Sequence, residues 1–160
     1  MIGREDILSL VPHQGAMCLW DEVVLWDDLH IVLQAINHRD PAHPLRGEDG
    51  QLRSVHLCEY GAQAMAVHGG LRARATGNVA KPGFLVALRG VELHIDRIDT
   101  LPGPLQCTAT VLVDGEAGWQ YQFQLEHDGV ILATGRAAVI PQPRGDRDDD
   151  LEGVQTGQTG

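Results

Sequence analysis

Glu59 is followed four residues later by Gln63 and preceded by three residues by His56. On a helix these positions share one side, so the amide can hold the carboxyl by a hydrogen bond, and the imidazole can act as a base or tune the carboxyl. A carboxyl and a histidine facing one substrate are the equipment of acid–base chemistry, in which one group takes a proton while the other gives one. A structural glutamate paired with an arginine or a backbone group is the competing reading of Glu59. His68 reads as a satisfied core residue. His30, His38, His94 and His127 lack HxxxH or similar ligand spacing, and Cys18, Cys58 and Cys107 form no CxxC pair, so no metal site is expected.

The element that must carry the Glu59 group is a helix over 54–77. Ser54 can cap its start, Arg72 and Arg74 suit its negative C-terminal end, and Gly77 can stop it. Unpaired amides around Ser54 and Val55 would stabilise a negative charge developing on a bound group. Gly61, Ala62, Ala64 and Ala66 are small and apolar residues fall on nearly every face, so the helix is expected to be enclosed by a closely approaching sheet rather than to lie on the surface.

Strand signals flank that helix. Before it, 17–26 and 29–36 read as a hairpin about Asp27-Asp28, after a short apolar-spaced stretch, Ile7, Leu8 and Leu10, closed by Pro12. After it, 84–95 reads as one bent strand with a bulge at Gly90, followed by a meander of 105–113, 119–125 and 130–139. In that meander Trp119, Tyr121, Phe123 and Leu125 alternate with glutamines, and Asp128-Gly129 makes a tight turn. Residues 1–140 are expected to form a single α+β domain, and the Asp-, Gly- and Pro-rich stretch 141–160 a disordered acidic tail.

A hairpin, one buried helix and a run of antiparallel strands resemble the hotdog fold, a curved antiparallel sheet wrapped around one long central helix. Leu10-Val11-Pro12-His13 followed by Met17-Cys18-Leu19-Trp20-Asp21-Glu22-Val23 is similar to the opening motif of the 3-hydroxyacyl-ACP dehydratases of fatty-acid synthesis. Glu59-Tyr60-Gly61-Ala62-Gln63-Ala64 is similar to their helical motif. Pro12-His13, Met17, Glu59-Tyr60, Ala62-Gln63-Ala64 and His68-Gly69-Gly70-Leu71 most resemble the divergent dehydratases of aryl-polyene and xanthomonadin synthesis.

The resemblance implies a cofactor-independent hydro-lyase acting on 3-hydroxyacyl thioesters borne by an acyl carrier protein, with Glu59 as the acid held by Gln63. His43, in Asp40-Pro41-Ala42-His43-Pro44-Leu45-Arg46-Gly47, is the positional match for the base, although the flanking residues and the spacing to Glu59 differ. His56 is the alternative base, and His13 matches a motif histidine that is not the catalytic one, which implies a structural hydrogen-bonding role and makes it a candidate substrate-binding residue. The resemblance also implies a homodimer or a heterodimer with another hotdog subunit. A hotdog acyl-thioesterase, or a non-catalytic subunit stabilising a partner dehydratase, are the alternative functions.

The chain of 160 residues carries 22 acidic against 12 basic groups, a formal charge of −10, which argues against sequence-independent nucleic-acid binding. The distribution is uneven, since residues 39–97 carry eight basic against six acidic groups. Arg72, Arg74, Lys81 and Arg89 are the candidate contacts for an acidic carrier protein. No stretch approaches the ~20 apolar residues of a membrane span, no leader pattern is evident, and the odd, scattered cysteines fit free thiols in the cytoplasm.

Overall fold

The structure, a computed structural model, describes residues 2–12, 14–77 and 83–141. One seven-stranded antiparallel sheet holds β1 (Ile2–Gly3), β2 (Glu22–Trp26), β3 (His30–Ala35), β4 (Gly83–Leu93), β5 (Leu105–Gly115), β6 (Gly118–His127) and β7 (Val130–Pro141). Their order across the sheet is β1-β2-β3-β5-β6-β7-β4, so the chain leaves β3, crosses through the helix, and enters β4 at the far edge. Helix α1 (Arg4–Leu10) precedes β2, and helix α2 (Leu57–Ala75) lies between β3 and β4.

Alternation along the strands sets the inner face. Register aligns Leu33, Cys107, Leu125 and Ala133 in one row across β3, β5, β6 and β7, and Ile31, Ala109, Phe123 and Gly135 in the next. All of these residues for which burial decides packing are inaccessible, and α2 lies against them with residues buried on several faces, including Leu57, Tyr60, Ala64, Val67 and Leu71. Small residues permit that approach. A Cβ on Gly61 would sit 2.8 Å from the Phe123 ring, and one on Gly135 only 2.6 Å from the same ring, so two glycines on helix and sheet enclose one aromatic side chain. This is the hotdog architecture: a curved antiparallel sheet around one long helix.

Two local expectations, the strand over 17–26 and the Ser54 cap, need revision. The strand expected over 17–26 is confined to Glu22–Trp26, because Gly15–Met17 forms a 3₁₀ turn and the backbone of Leu19 bonds to side chains of α2 and the β3 end instead of to a strand. The stretch around Ile7 and Leu10 is a helix, packed by Leu10 onto Gly70 of α2. Residues 54–56 form a 3₁₀ turn before α2, and no side chain caps either element, so Ser54 does not serve as the expected cap. The Gly90 bulge is present, with φ +59° and a register shift between Arg89 and Glu92. Residues from 142 onward, which include nearly all of the expected tail, lie outside the described residues. No helix among the described residues is long and apolar enough to cross a membrane.

Candidate active site

The first turn of α2 carries Glu59, half-buried, and the next turn carries Gln63, buried. The Gln63 amide is fully committed. Its Nε2 donates to Glu59 Oε1 at 3.1 Å and to the Met17 carbonyl at 2.8 Å, while its Oε1 accepts the Leu19 N–H at 2.9 Å. Turning the amide over would set oxygen against two acceptors, so the geometry fixes its orientation and directs its N–H at the Glu59 carboxyl. The spacing of four residues makes the bond between them possible, but the diverted 17–20 segment holds the amide in place.

A second chain of hydrogen bonds starts from the same segment. Asn37 Nδ2, at the end of β3, donates to the Leu19 carbonyl at 2.7 Å, and Asn37 Oδ1 accepts from the Tyr60 hydroxyl at 2.7 Å. The Tyr60 oxygen is 3.0 Å from His43 Nε2, and His43 Nδ1 accepts the Leu45 N–H at 3.1 Å. Because Leu45 can only donate, Nδ1 is the acceptor and Nε2 carries the proton, which it donates to Tyr60. Glu59 and His43 are thus joined through Gln63, the Leu19 peptide, Asn37 and Tyr60. Trp20 steadies the same helix turn, with Nε1 donating to the Tyr60 carbonyl at 2.9 Å and its ring edge-on to that of Tyr60.

The site histidines differ in environment. His43 is buried, and desolvation followed by the Arg46 charge lowers its pKa from the ordinary value, so it is neutral with both nitrogens engaged. To take a proton it must release the Leu45 N–H. Burial, then the Asp21 charge, pushes the Tyr60 hydroxyl up, so it stays a neutral donor. His56 stands half-buried at the entrance to α2. His68, five residues beyond Gln63, lies in the core between the Tyr121 hydroxyl at 2.8 Å and the Asp27 carbonyl at 2.6 Å. His13 lies outside the described residues.

The loop that presents His43 is closed by one guanidinium. Arg46 Nε donates to the Asp40 carbonyl at 2.8 Å and Nη2 to the His38 carbonyl at 3.2 Å, while Nη1 bonds the Gly50 carbonyl and lies 3.8 Å from Asp99. Asp99, buried, accepts the Leu52 N–H and the Arg97 guanidinium, whose bond holds its carboxyl far below the ordinary range. A charged clasp therefore shapes the loop that presents His43.

The helix entrance is less open to an anion than the sequence suggests, because the Ser54 N–H donates to the Asp96 carbonyl at 3.0 Å while Val55 stays exposed. Among the candidate docking cations, Arg72 is tied to Asp114 in an ion pair and Arg74 donates to Ser9 at 2.8 Å. Arg89 is exposed on β4, and Lys81 lies outside the described residues. Tyr60 and Asn37 escaped the sequence reading as site residues. The Glu-Tyr dipeptide was visible, but nothing in spacing alone sets a tyrosine on α2 beside a loop histidine 17 residues earlier.

The carboxyl is clamped on the first turn of a sheet-wrapped helix, and the fold that carries it is a hotdog fold. Residues 5–151 match the ApeP-like family, described as ApeP dehydratase, and the chain belongs to that family. Among solved structures it is similar to the dehydratase heterocomplex ApeI:P from Xenorhabdus doucetiae, at 22% identity over 91% of this chain and 96% of that one, with a TM-score of 0.78. It is similar to a putative thioesterase from Shewanella oneidensis at 13% identity, covering 88% and 94% of the two chains with a TM-score of 0.60. A thioesterase enzyme from Staphylococcus aureus shares the fold at 13% identity, 76% and 93% coverage and a TM-score of 0.56. No curated protein matches the chain.

Proposed function

We propose that this chain is a dehydratase subunit that removes water from a 3-hydroxyacyl thioester borne by an acyl carrier protein, in fatty-acid, polyketide or aryl-polyene-type synthesis in the cytoplasm. A base takes the C2 proton, the electrons of that C–H bond form the C2–C3 double bond, and the C3–O bond breaks. The hydroxyl leaves as water with a proton from Glu59, giving the trans-2-enoyl thioester. The observation that carries this reading is the Glu59 carboxyl held by a buried, fully satisfied Gln63, in a chain of a dehydratase family. His43 is the base once Leu45 releases Nδ1, with His56 the alternative at the same helix entrance. Val55 and Ser54, at the helix entrance, are proposed to face the thioester, and His13, outside the described residues, is assigned to the substrate by the resemblance alone.

A second hotdog subunit, identical or related, is proposed to complete the site. The full engagement of His43 favours a specific second reading, in which this chain supports a catalytic partner and the partner supplies the base. Mass spectrometry of a 3-hydroxyacyl carrier thioester incubated with the chain, alone and with a co-expressed hotdog partner, separates these. Loss of one water with retention of the acyl group by the chain alone supports catalysis here. Release of the acyl group as a free acid would instead identify a thioesterase, and activity only with the partner, unchanged by Glu59→Gln in this chain, would identify a supporting subunit.

A further inference from the structure

The backbone between α1 and β2 orients Gln63, yet it belongs to no sheet ladder. Residues 15–17 form a 3₁₀ turn and residues 18–21 are not paired as strand. A backbone bond to the sheet comes only at the end of the segment, where the Asp21 N–H donates to the Gln34 carbonyl at 3.1 Å. Backbone groups that no ladder satisfies must find side-chain partners, and those partners then decide where the segment sits.

Arg4 reaches both ends of it. β1 pairs Gly3 with Glu22, so the next residue opens α1 directly beside Asp21. From there Nη2 donates to the Gly15 carbonyl at 2.8 Å and Nη1 to the Trp20 carbonyl at 3.2 Å, with Asp21 Oδ1 at 3.4 Å from Nη1. One planar fork thereby pins two carbonyls five residues apart, which the point charge of an ammonium group cannot do. The other Asp21 oxygen, Oδ2, accepts the Ile36 N–H at 2.8 Å, next to Asn37.

The groups that serve the site lie between those pins. The Met17 carbonyl and the Leu19 N–H hold the two ends of the Gln63 amide, and the Leu19 carbonyl receives Asn37. Displacing the segment would shift both amide contacts at once, and the other Nε2 hydrogen would no longer be aimed at Glu59 Oε1. We propose that Arg4, paired with Asp21, is a positioning residue for the Glu59 carboxyl, fixing the 15–21 segment that sets the direction of the Gln63 amide. The two side chains are 35% and 33% exposed, and an ion pair in that setting adds little stability, so the consequence of the pair is geometric. The kinetic consequence rests on the reading of Glu59 as the proton donor above, whereas the orientation of Gln63 does not.

The test uses the full chain with its hotdog partner and the variants Arg4→Met and Arg4→Lys, each checked for an unchanged melting profile. Arg4→Lys keeps the charge beside Asp21 and loses the fork, so it should behave like Arg4→Met, and it carries the test alone if Arg4→Met melts early. The kcat for dehydration of a 3-hydroxyacyl carrier thioester should fall by about tenfold or more, towards the ~10²-fold that a misplacement of about 1 Å costs, with KM essentially unchanged. Because Arg4 acts through Gln63, Arg4→Met or Arg4→Lys should lower kcat little further in a Gln63→Ala background. A spectroscopic arm is independent of activity. The Gln63 side-chain amide, assigned by its absence from Gln63→Ala, should exchange its protons slowly in the parent and on the order of tenfold faster in the Arg4 variants. Losses in kcat that multiply in the double variant, or Gln63 amide exchange unaltered by the Arg4 substitutions, overturn the inference. A parent that forms no enoyl product, while its Gln63 amide loosens in the Arg4 variants, overturns the dehydratase reading and leaves the positioning of Gln63 by Arg4 standing.

Discussion

Tyr60→Phe removes one oxygen from the centre of the site network and leaves the ring against Trp20 in place. The hydroxyl accepts the His43 Nε2–H at 3.0 Å and donates to Asn37 Oδ1 at 2.7 Å. With it gone, the His43 N–H loses its partner in a place where that histidine is only 6% exposed, at a cost of about 1–3 kcal/mol for an unsatisfied buried donor. Asn37 is half-buried and can turn to water, so its share is nearer the ~0.5–1 kcal/mol of an ordinary lost bond. The sum is about 1.5–4 kcal/mol, or a fall in Tm of roughly 3–16 °C at about 2–4 °C per kcal/mol for a domain of this size. Urea unfolding at neutral pH gives the loss directly. Adding Asn37→Ala to the variant should cost less than Asn37→Ala alone does in the parent, because the shared bond is already gone. A Tyr60→Phe loss below about 0.5 kcal/mol, or strictly additive costs, would refute the network.

Gly61→Ala drives a methyl group against Phe123, which Gly135 already confines from the other side, so a destabilisation of about 1–3 kcal/mol is expected from denaturant melts despite the better helix propensity of alanine. Acid should weaken the fold early. Burial lowers the pKa of His38, His43 and His68 below the ordinary 6.5, so the unfolded chain binds protons first. Their contribution is complete above pH 6.5 and is lost as pH falls from there towards each folded-state pKa, at no more than about 1.4 kcal/mol per pH unit for each histidine. The loss should be plain in urea midpoints between about pH 7 and pH 5.5, where a flat profile would show that these rings protonate in the folded chain. His38 adds to this because a proton on its buried Nδ1, unpartnered among the described residues, meets no acceptor.

The strands of the meander were readable because their signals are periodic, and the helix because of its end signals and small residues. Alternation from Trp119 to Leu125 marked a half-buried strand that the register confirms, and Asp128-Gly129 does take the left-handed conformations of a tight hairpin turn. The uniformly apolar faces of the helix foretold its enclosure. What periodicity does not encode is where a strand goes after it leaves the helix, so the placement of β4 at the far edge beside β7 came only from the structure.

The same limit governs the site. Glu59 and Gln63 lie on one helix and their contact follows from spacing, whereas Tyr60, Asn37 and Leu19 meet through long-range closure. The segment at 18–20 looked like strand because Cys18, Leu19 and Trp20 are apolar and buried. Its backbone instead satisfies side chains of α2 and the β3 end, an arrangement that hydrophobic patterning cannot distinguish from a ladder. The Arg72 charge near the helix end looked available to a partner, and Asp114, 42 residues away, occupies it.

Glu59→Gln tests the central claim most directly, because glutamine can still accept the Gln63 N–H while having no acidic proton to deliver. Single-turnover conversion of a 3-hydroxyacyl carrier thioester, by the chain with its hotdog partner present, should fall by about 10²–10⁴-fold with the melting temperature essentially unchanged. An enoyl-forming rate within tenfold of the parent would contradict the assignment of Glu59 as the proton donor.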